Sequence, residues 1–214
     1  MSKVLIIGGG AAGMMAAVAA GENGHEVWLY EKNDRLGRKL FITGKGRCNI
    51  TNAGDMETLF ASVMSNPKFL YSSFYTFTND QVIDFFEELG VRTKIERGNR
   101  VFPLSDHSSD VIAGLKRKLE TLGVHICLET EVEKIEERDG KFQAIVLKGG
   151  QRKTGDACIV ATGGISYPAT GSTGDGYRFA KETDIRLQNY IRLWFRWKSG
   201  NGMQRNCRGS LFAM

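Results

Sequence analysis

The first thirty residues alternate between apolar runs and a glycine-rich turn. Residues 3–7 (KVLII) are apolar and β-branched, which predicts a strand that passes directly into GGGAAG. Residues 11–22 are rich in Ala and Met and predict a helix, which Asn23-Gly24 should stop. Residues 26–32 (EVWLYEK) predict a second strand, ending at Glu31. Strand, glycine turn, helix and strand within about 30 residues form a βαβ unit, whose crossover is expected to be right-handed.

The middle of the chain has a mainly helical pattern. Residues 33–54 are rich in Gly, Asn and basic residues and predict a loop. Helical patterns then run from Met56 to about Leu89 and over residues 108–123, where Gly123 ends the second helix. We therefore expect a helical insertion at about residues 56–123.

The last part of the pattern returns to strands. Residues 124–164 predict a strand, a hairpin that turns at Asp139-Gly140, and a final apolar strand over residues 157–161. Together with the βαβ unit, these elements predict an α/β, Rossmann-type domain over residues 1–183, with a helical insertion and a β-hairpin.

Composition and charge narrow the classes of protein. With 42% apolar and 25% charged residues, the chain has a globular composition, and no run of about 18 apolar residues predicts a membrane span. Four scattered cysteines without a CxxC pair argue against disulfides or a metal site and indicate a reducing cytoplasm. The net charge is +5, but residues 185–214 hold six Lys or Arg and no acid, so subtracting this +6 leaves −1 for residues 1–184. Nucleic-acid or membrane-surface binding by the basic tail is an alternative, and we expect neither partner.

The turn Gly8-x-Gly10-x-x-Gly13 is the first candidate site, because it joins the predicted strand and helix and Glu31 closes the next strand. In dinucleotide-binding domains the first glycine allows the tight turn, and the second lets the backbone approach a pyrophosphate. The third allows close packing of helix on strand. Glu31 would accept hydrogen bonds from the ribose hydroxyls, and its charge disfavours a 2′-phosphate. The alternative is a Rossmann-like turn without a ligand.

The position of this turn favours FAD over NAD. It begins at residue 8, and Glu31-Lys32 is followed by Gly37-Arg38-Lys39, a pattern typical of FAD enzymes in which a basic loop contacts ribose and pyrophosphate. We expect Arg38 or Lys39 to contact phosphate, the alternative being solvated surface charges. The three histidines are scattered and no acid–base or nucleophile constellation is present. This fits a flavoenzyme, because the flavin carries the redox chemistry.

Residues 43–52 (TGKGRCNITN) form a second candidate loop, since two glycines and small polar residues surround Arg47. The loop lacks GxxxxGK[ST] and is not a P-loop. Cys48 has no partner thiol nearby, so a packing role is favoured over a redox role. Further along the chain, Asp175 in GSTGDGY is expected to cap a helix rather than to act as a catalyst.

Four segments occur in a fixed order over residues 1 to about 183: LIIGGGAAGMMAA, EKNDRLGRKLFITGKGRCNITN, RVFPLSDHSSDVI and IVATGGISYPATGSTGDGY. Together they resemble the aminoacetone oxidase-like family of FAD-dependent flavoproteins, which includes proteins similar to the bile-acid Δ4,6-reductase. The resemblance implies a Rossmann FAD domain of the two-dinucleotide-binding-fold type, a substrate domain after it, and a small-molecule substrate. It implies amine oxidation or NAD(P)H-linked reduction of an unsaturated substrate. The alternative is a non-catalytic nucleotide-binding module.

The resemblance also implies a set of cofactor contacts. The pyrophosphate would be lined by Gly8, Gly10, Ala11, Ala12 and Gly13. The ribose would be held by Glu31, with Lys32 beside it. Residues wrapping FAD toward the flavin would be Arg38, Lys39, Thr43, Gly46, Arg47, Cys48 and Asn49. The adenine would meet the backbone of Val132, and the cofactor would pass close to Thr162, Gly163 and Gly164.

The resemblance ends near Thr183, where the family continues with a segment similar to GHTVTELYPSLVPL. One permitted set of codons for DIRLQNYIRLWFRW, which starts at Asp184, encodes that segment when a single G is inserted in front. We hypothesise that residues 184–214 are an out-of-frame tail, disordered or irregular, and that the C-terminal half is incomplete. We therefore expect this 214-residue product to be truncated, to bind FAD weakly if at all and to have little or no turnover.

Overall fold

A computed structural model describes residues 1–63 and 66–183, so the hypothesis about residues 184–214 lies outside the described residues. The described residues form two compact units: a first unit of residues 1–40 and 115–183, and a second unit of residues 41–63 and 66–114.

The described strands are β1 (Lys3–Ile7), β2 (Glu26–Tyr30), β3 (Thr51–Asn52), β4 (Thr93–Glu96), β5 (Arg100–Pro103), β6 (His125–Cys127), β7 (Val132–Arg138), β8 (Lys141–Leu147), β9 (Arg152–Thr154) and β10 (Ala157–Val160). The described α-helices are α1 (Ala11–Glu22), α2 (Arg38–Ile42), α3 (Met56–Ala61), α4 (Tyr71–Thr76), α5 (Asn79–Glu88), α6 (Ser108–Thr121) and α7 (Asp175–Glu182). Short 3₁₀ turns cover Thr43–Gly46, Pro67–Leu70 and Pro168–Thr170.

The first unit is built on a parallel sheet with the strand order β10-β1-β2-β6. β1 pairs in parallel with both β2 and β10, and α1 supplies the crossover between β1 and β2. α1 places Met14, Ala17 and Val18 in the core and lies against β1 and β2. An antiparallel sheet, β7-β8-β9, contributes the other part of this core. The buried cluster between the parallel and antiparallel sheets consists of Leu5, Ile7, Tyr30, Val132, Ile145, Leu147 and Phe179.

The structure confirms the main elements predicted for this unit. β1 and α1 have the predicted bounds, and β2 ends at Tyr30, one residue before Glu31. The β7–β8 hairpin turns at Asp139 and Gly140, whose φ values of 55° and 70° are those of the type I′ turn that favours this dipeptide. The α/β, Rossmann-type prediction is therefore correct, although β9 was not indicated by the sequence pattern.

The second unit contains α3, α4 and α5 together with an antiparallel sheet of order β3-β5-β4. The predicted helical stretch is correct but broken into short helices. α5 has the clearest start, a capping box between Thr78 and Gln81, and Gly90 follows its end with φ 77°. The β4–β5 hairpin was not predicted, because β4 (TKIE) is short and largely polar. The loop predicted over residues 33–54 is wrong over α2, a five-residue helix without an apolar period, and over β3, a two-residue strand that forms by pairing with β5.

Within the part of the chain that the structure describes, no helix has the length and hydrophobicity required to cross a bilayer.

Candidate nucleotide-binding site

Of the three motif glycines in the turn after β1, Gly8 and Gly13 leave no room for a side chain; at Gly9, between Gly8 and Gly10, a Cβ would lie 2.4 Å from Leu36 Cδ2. Gly8 has φ +105°, and a Cβ there would lie 2.6 Å from the Ala161 carbonyl oxygen. A Cβ on Gly13 would lie 1.8 Å from the Gly8 carbonyl oxygen. A Cβ on Gly10, in contrast, would have no heavy atom within 4 Å. Gly8 and Gly13 thus serve the turn and the packing of α1 on β1, whereas Gly10 leaves space at the surface.

The N-terminus of α1 faces this space without a side-chain cap. Gly10 is the N-cap residue in an extended conformation, and the first turn contains no acidic residue. Ala11 and Ala12, the next two residues, are exposed. The first amides of a helix have no partner within the helix and carry the positive end of its dipole. This turn is therefore suited to an anionic group such as a phosphate.

The carboxylate of Glu31 lies immediately after β2 and is buried. Its Oε2 accepts a hydrogen bond from the Gly9 amide at 2.6 Å. Its Oε1 accepts from the Asn33 backbone amide at 2.8 Å and from Asn33 Nδ2 at 2.5 Å. Arg38 in turn donates to Asn33 Oδ1 at 2.8 Å. Sequence reasoning found Glu31 and Arg38 but missed Asn33, whose only signal was an amide side chain two residues after the acid.

Two lysines of the segment after β2 contact the loop of residues 166–175. Lys32 Nζ lies 2.7 Å from Asp175 Oδ2 and donates to Thr173 Oγ1 at the same distance. Lys39 Nζ donates to Ser172 Oγ at 2.6 Å and to Ser166 Oγ at 3.4 Å. Burial lowers the pKa of Lys39. An anion placed beside Lys39 would favour its charged form.

The capping role predicted for Asp175 is wrong. Gly174, with φ 87°, is the N-cap of α7 and no side chain caps the helix. Asp175 is the first helical residue, and its carboxylate accepts from Lys32 and from Thr173 Oγ1 at 3.0 Å. An acid in the first turn still stabilises the helix through its dipole.

Thr162, two residues beyond the end of β10, has a buried hydroxyl oxygen without a hydrogen-bond partner among the described residues. A Cβ on Gly176 would approach this oxygen to 3.0 Å. The two following residues are Gly163, with φ +74°, and the buried Gly164. A buried hydroxyl without a partner is costly, so this position is suited to a ligand that forms a hydrogen bond.

The segment leading to Val132 runs beside Glu31. The Glu31 amide donates to the Cys127 carbonyl at 2.8 Å, and the Thr130 amide donates to the Glu31 carbonyl at 2.9 Å. Val132 follows as the first residue of β7. The first unit thus brings together the glycine turn, Glu31, the 32–39 segment, the 162–164 segment and the approach to Val132. They lie around the carboxyl ends of β1, β2 and β10, where open α/β sheets bind ligands.

The remaining predicted residues belong to the second unit. Gly44, Lys45, Gly46 and Cys48 all have positive φ, so residues 43–48 form a tightly wound loop. The Thr43 carbonyl accepts from the Cys48 amide at 3.1 Å, and the Asn49 side-chain amide, once its oxygen and nitrogen are exchanged, donates through Nδ2 to the Thr51 carbonyl at 3.1 Å. Cys48 is buried, and burial raises the pKa of its thiol. Its environment therefore agrees with a packing role better than with a redox role.

Arg47 is engaged by acidic side chains of the second unit. It donates to Asp106 Oδ1 at 2.7 Å and to Glu96, and its guanidinium lies 4.1 Å from the centre of the Phe102 ring. Lys94 and Arg47 lower the pKa of Asp106 by donating to its carboxylate. The contact of Arg47 with the cofactor accordingly stays a prediction.

The sheet, the glycine turn and the acid that follows β2 together define a Rossmann-type dinucleotide-binding domain. The chain belongs to the family described as HI0933-like protein Rossmann domain, which matches residues 2–192. This confirms the resemblance stated from the sequence. Members of this family are FAD-dependent oxidoreductases.

Two curated relatives and one solved structure illustrate these similarities. A 3-dehydro-bile acid delta(4,6)-reductase of Clostridium scindens is 34% identical over 195 residues, covering 89% of this chain and 46% of the relative. A ribosomal RNA dihydrouridine synthase of Haemophilus influenzae is 30% identical over 187 residues, covering 86% of this chain and 46% of the relative. The chain thus spans about half the length of these relatives.

The structure titled Mycobacterium smegmatis Sdh1 complex in the apo form superposes with a TM-score of 0.65 and 21% identity, over 85% of this chain and 38% of that one. At this identity the likeness shows the fold alone.

The residues of the first unit fit FAD, the cofactor of the family. The uncapped start of α1 and the open space at Gly10 suit a pyrophosphate, and the unpartnered Thr162 hydroxyl offers a further polar contact.

Proposed function

We propose that the first unit binds FAD with its pyrophosphate at the N-terminus of α1 and its adenosine ribose at Glu31. The observation that carries this proposal is the open, uncapped start of α1 at Gly10, next to a glycine turn that allows no side chain at Gly8 or Gly13. Lys39 and the Thr162 hydroxyl would add contacts to the same cofactor, and Val132 would offer its backbone to the adenine.

We further propose that the whole protein is a reductase of carbon–carbon double bonds that uses NAD(P)H. Of the two chemistries left open by the sequence, reduction is favoured by the names of both curated relatives, a delta(4,6)-reductase and a dihydrouridine synthase. In such a reaction NAD(P)H loses a hydride, and the double bond gains that hydride and a proton. FAD, when bound, carries the hydride between them. The substrate we propose is a small molecule with a double bond conjugated to a carbonyl.

In this chemistry the described residues would bind and orient the cofactor. Glu31 and the α1 N-terminus would hold and orient the nucleotide half of FAD, because they offer an acceptor for hydroxyls and donors for phosphate. Lys39 would keep a positive charge near the cofactor while it exchanges electrons.

A titration tests the cofactor proposal. The purified 214-residue chain is titrated with FAD, and the absorbance of bound oxidised flavin at about 450 nm is followed after removal of free cofactor. Saturable binding supports the proposal, and its absence contradicts it. Tight, stoichiometric binding would support FAD binding but contradict the expectation that this chain binds FAD weakly.

A second assay tests the reaction. Consumption of NAD(P)H by the FAD-loaded protein is measured with a conjugated enone, with a primary amine and with uridine-containing RNA. Turnover with the enone alone supports the proposal, whereas oxygen-dependent oxidation of the amine or turnover with RNA would replace it. Little or no turnover is already expected of the 214-residue chain alone, so the assay uses the chain extended in the family's reading frame; saturable FAD binding by that protein with no turnover of any substrate would favour the non-catalytic nucleotide-binding module.

A further inference from the structure

Asn33 connects four segments of the first unit. Its backbone amide and its Nδ2 both donate to Glu31 Oε1, at 2.8 Å and 2.5 Å. Its Oδ1 accepts from Arg38, and its Nδ2 also lies 3.4 Å from the Thr170 carbonyl oxygen. Its own carbonyl accepts from the Glu129 amide at 2.9 Å. Asn33 is thus the contact that joins the acid after β2 to the segments around residues 38, 129 and 170.

Arg38 determines which way the Asn33 amide faces. A guanidinium has only donors, so the amide oxygen must point toward Arg38 and the amide NH₂ toward Glu31. A neighbouring loop further restricts the side chain. Gly171 has φ +98°, and a Cβ there would lie 2.6 Å from Asn33 Nδ2, so the loop backbone closes over the amide. The orientation of Asn33 is therefore set by two neighbours, independently of Glu31.

These contacts fix the orientation of the Glu31 carboxylate and leave it little capacity to accept further hydrogen bonds. A carboxylate offers about four acceptor positions. Here Asn33 supplies two donors to one oxygen and the Gly9 amide supplies one to the other. An incoming ribose hydroxyl would meet a preoriented acceptor, and preorganisation increases affinity because less ordering is needed on binding.

We propose that Asn33 is a positioning residue for nucleotide recognition: its amide holds the Glu31 carboxylate in the orientation that distinguishes ribose from deoxyribose. This inference rests on the proposed function, because it takes Glu31 as the ribose acceptor. It goes beyond that function by assigning sugar selectivity to a residue that does not itself contact the sugar.

Calorimetric titration of the full 214-residue chain with ADP and with 2′-deoxy-ADP tests the proposal. The wild-type chain should bind ADP about tenfold or more tightly than 2′-deoxy-ADP, as expected for a hydrogen bond to a charged group. Asn33→Leu should weaken ADP binding by about tenfold and leave 2′-deoxy-ADP binding within about threefold, so the preference for ribose largely disappears. A merely structural role would weaken both ligands equally.

Asn33→Asp is the second variant. It keeps the size of the side chain and an oxygen for Arg38, but it places a second carboxylate beside Glu31 in place of the NH₂ donor. It should lose the ribose preference as Asn33→Leu does, so the proposal can be tested even if Asn33→Leu does not fold. Asn23→Leu is the matched control, because Asn23 is exposed and donates only to the Ala19 carbonyl at the end of α1 among its described contacts. It should retain the wild-type ratio.

The outcomes separate this inference from the proposed function. If the wild-type chain prefers ADP, Glu31→Gln loses the preference and both Asn33 variants retain it, the role of Asn33 is refuted and the function stands. If the wild-type chain binds both nucleotides equally, Glu31 is not the ribose acceptor, and the inference falls with that assignment. If the wild-type chain binds neither nucleotide, the proposed function itself is refuted.

Discussion

Gly10, the N-cap of α1, and Gly13, in its first turn, should respond differently to substitution by alanine. Gly10→Ala should weaken FAD binding, whereas Gly13→Ala should lower the free energy of unfolding. At Gly10 the backbone, with φ −79° and ψ −171°, is accessible to alanine, and no heavy atom lies within 4 Å of the new Cβ. The lower conformational entropy of the unfolded chain stabilises the variant and the poorer N-cap destabilises it, so the free energy of unfolding should change by less than about 1 kcal/mol.

At Gly13 the same change meets backbone atoms. The new Cβ would lie 1.8 Å from the Gly8 carbonyl oxygen and 3.0 Å from its carbonyl carbon. Neither atom can rotate away, because both belong to the tight turn, so β1 and α1 must separate. Overpacking of this kind costs about 3 kcal/mol. For a chain of this size that is a decrease in Tm of roughly 6–12 °C.

Two measurements on each variant check this reasoning: thermal unfolding without ligand, and FAD titration followed by the quenching of flavin fluorescence. Gly10→Ala should unfold like the wild-type chain yet bind FAD at least about tenfold more weakly, because the methyl group occupies the space of the pyrophosphate. Gly13→Ala should lose stability before any ligand is added. Wild-type FAD affinity in Gly10→Ala would refute the placement of the pyrophosphate, and a fully stable Gly13→Ala would refute the steric account.

Three further predictions concern Thr162, Tyr30 and the reading frame. Thr162→Val removes a buried hydroxyl without a described partner, so it should raise the free energy of unfolding by about 1 kcal/mol while weakening FAD binding; wild-type affinity would show that the cofactor does not use this hydroxyl. Burial raises the pKa of Tyr30 to about 12, so the folded state keeps a proton that the unfolded state loses above pH 10. The free energy of unfolding should therefore fall by about 2–3 kcal/mol between pH 10 and pH 12, and Tyr30→Phe should lack this part of the fall in alkaline denaturation. If residues 184–214 are out of frame, genomic DNA across codons 180–190 should regain the family's frame on insertion of one base; an intact frame encoding the same tail in related strains would contradict this.

Much of the first unit could be predicted from the sequence, because the contacts that determine its elements are between residues close together in the chain. β1, the glycine turn and α1 are contiguous, and Gly8 and Gly13 are required by contacts within the turn or with the strand end beside it. Glu31 follows from the end of the second strand, and the Asp139-Gly140 turn from its dipeptide. The family could also be identified from the sequence, because each of its motifs is a run of consecutive residues.

Two physical causes account for the errors. β4, β9 and α2 are short and lack a clear apolar period, so pairing and packing, rather than intrinsic preference, determine their conformation. Asp175 lies one residue inside α7 instead of at its cap, because Gly174 adopts the positive φ at the helix start and Lys32 takes up the carboxylate.

The sequence by itself determined the βαβ unit, the glycine turn and the acid that closes the second strand, because these depend on neighbouring residues. Only the tertiary structure decided what surrounds that acid and the lysines after it. Asn33 and Lys32 meet the loop of residues 166–175 across more than 130 positions of the chain. The strand order β10-β1-β2-β6 brings the Thr162 segment beside the glycine turn. Such contacts form only when the parallel sheet places the carboxyl ends of distant strands at one edge.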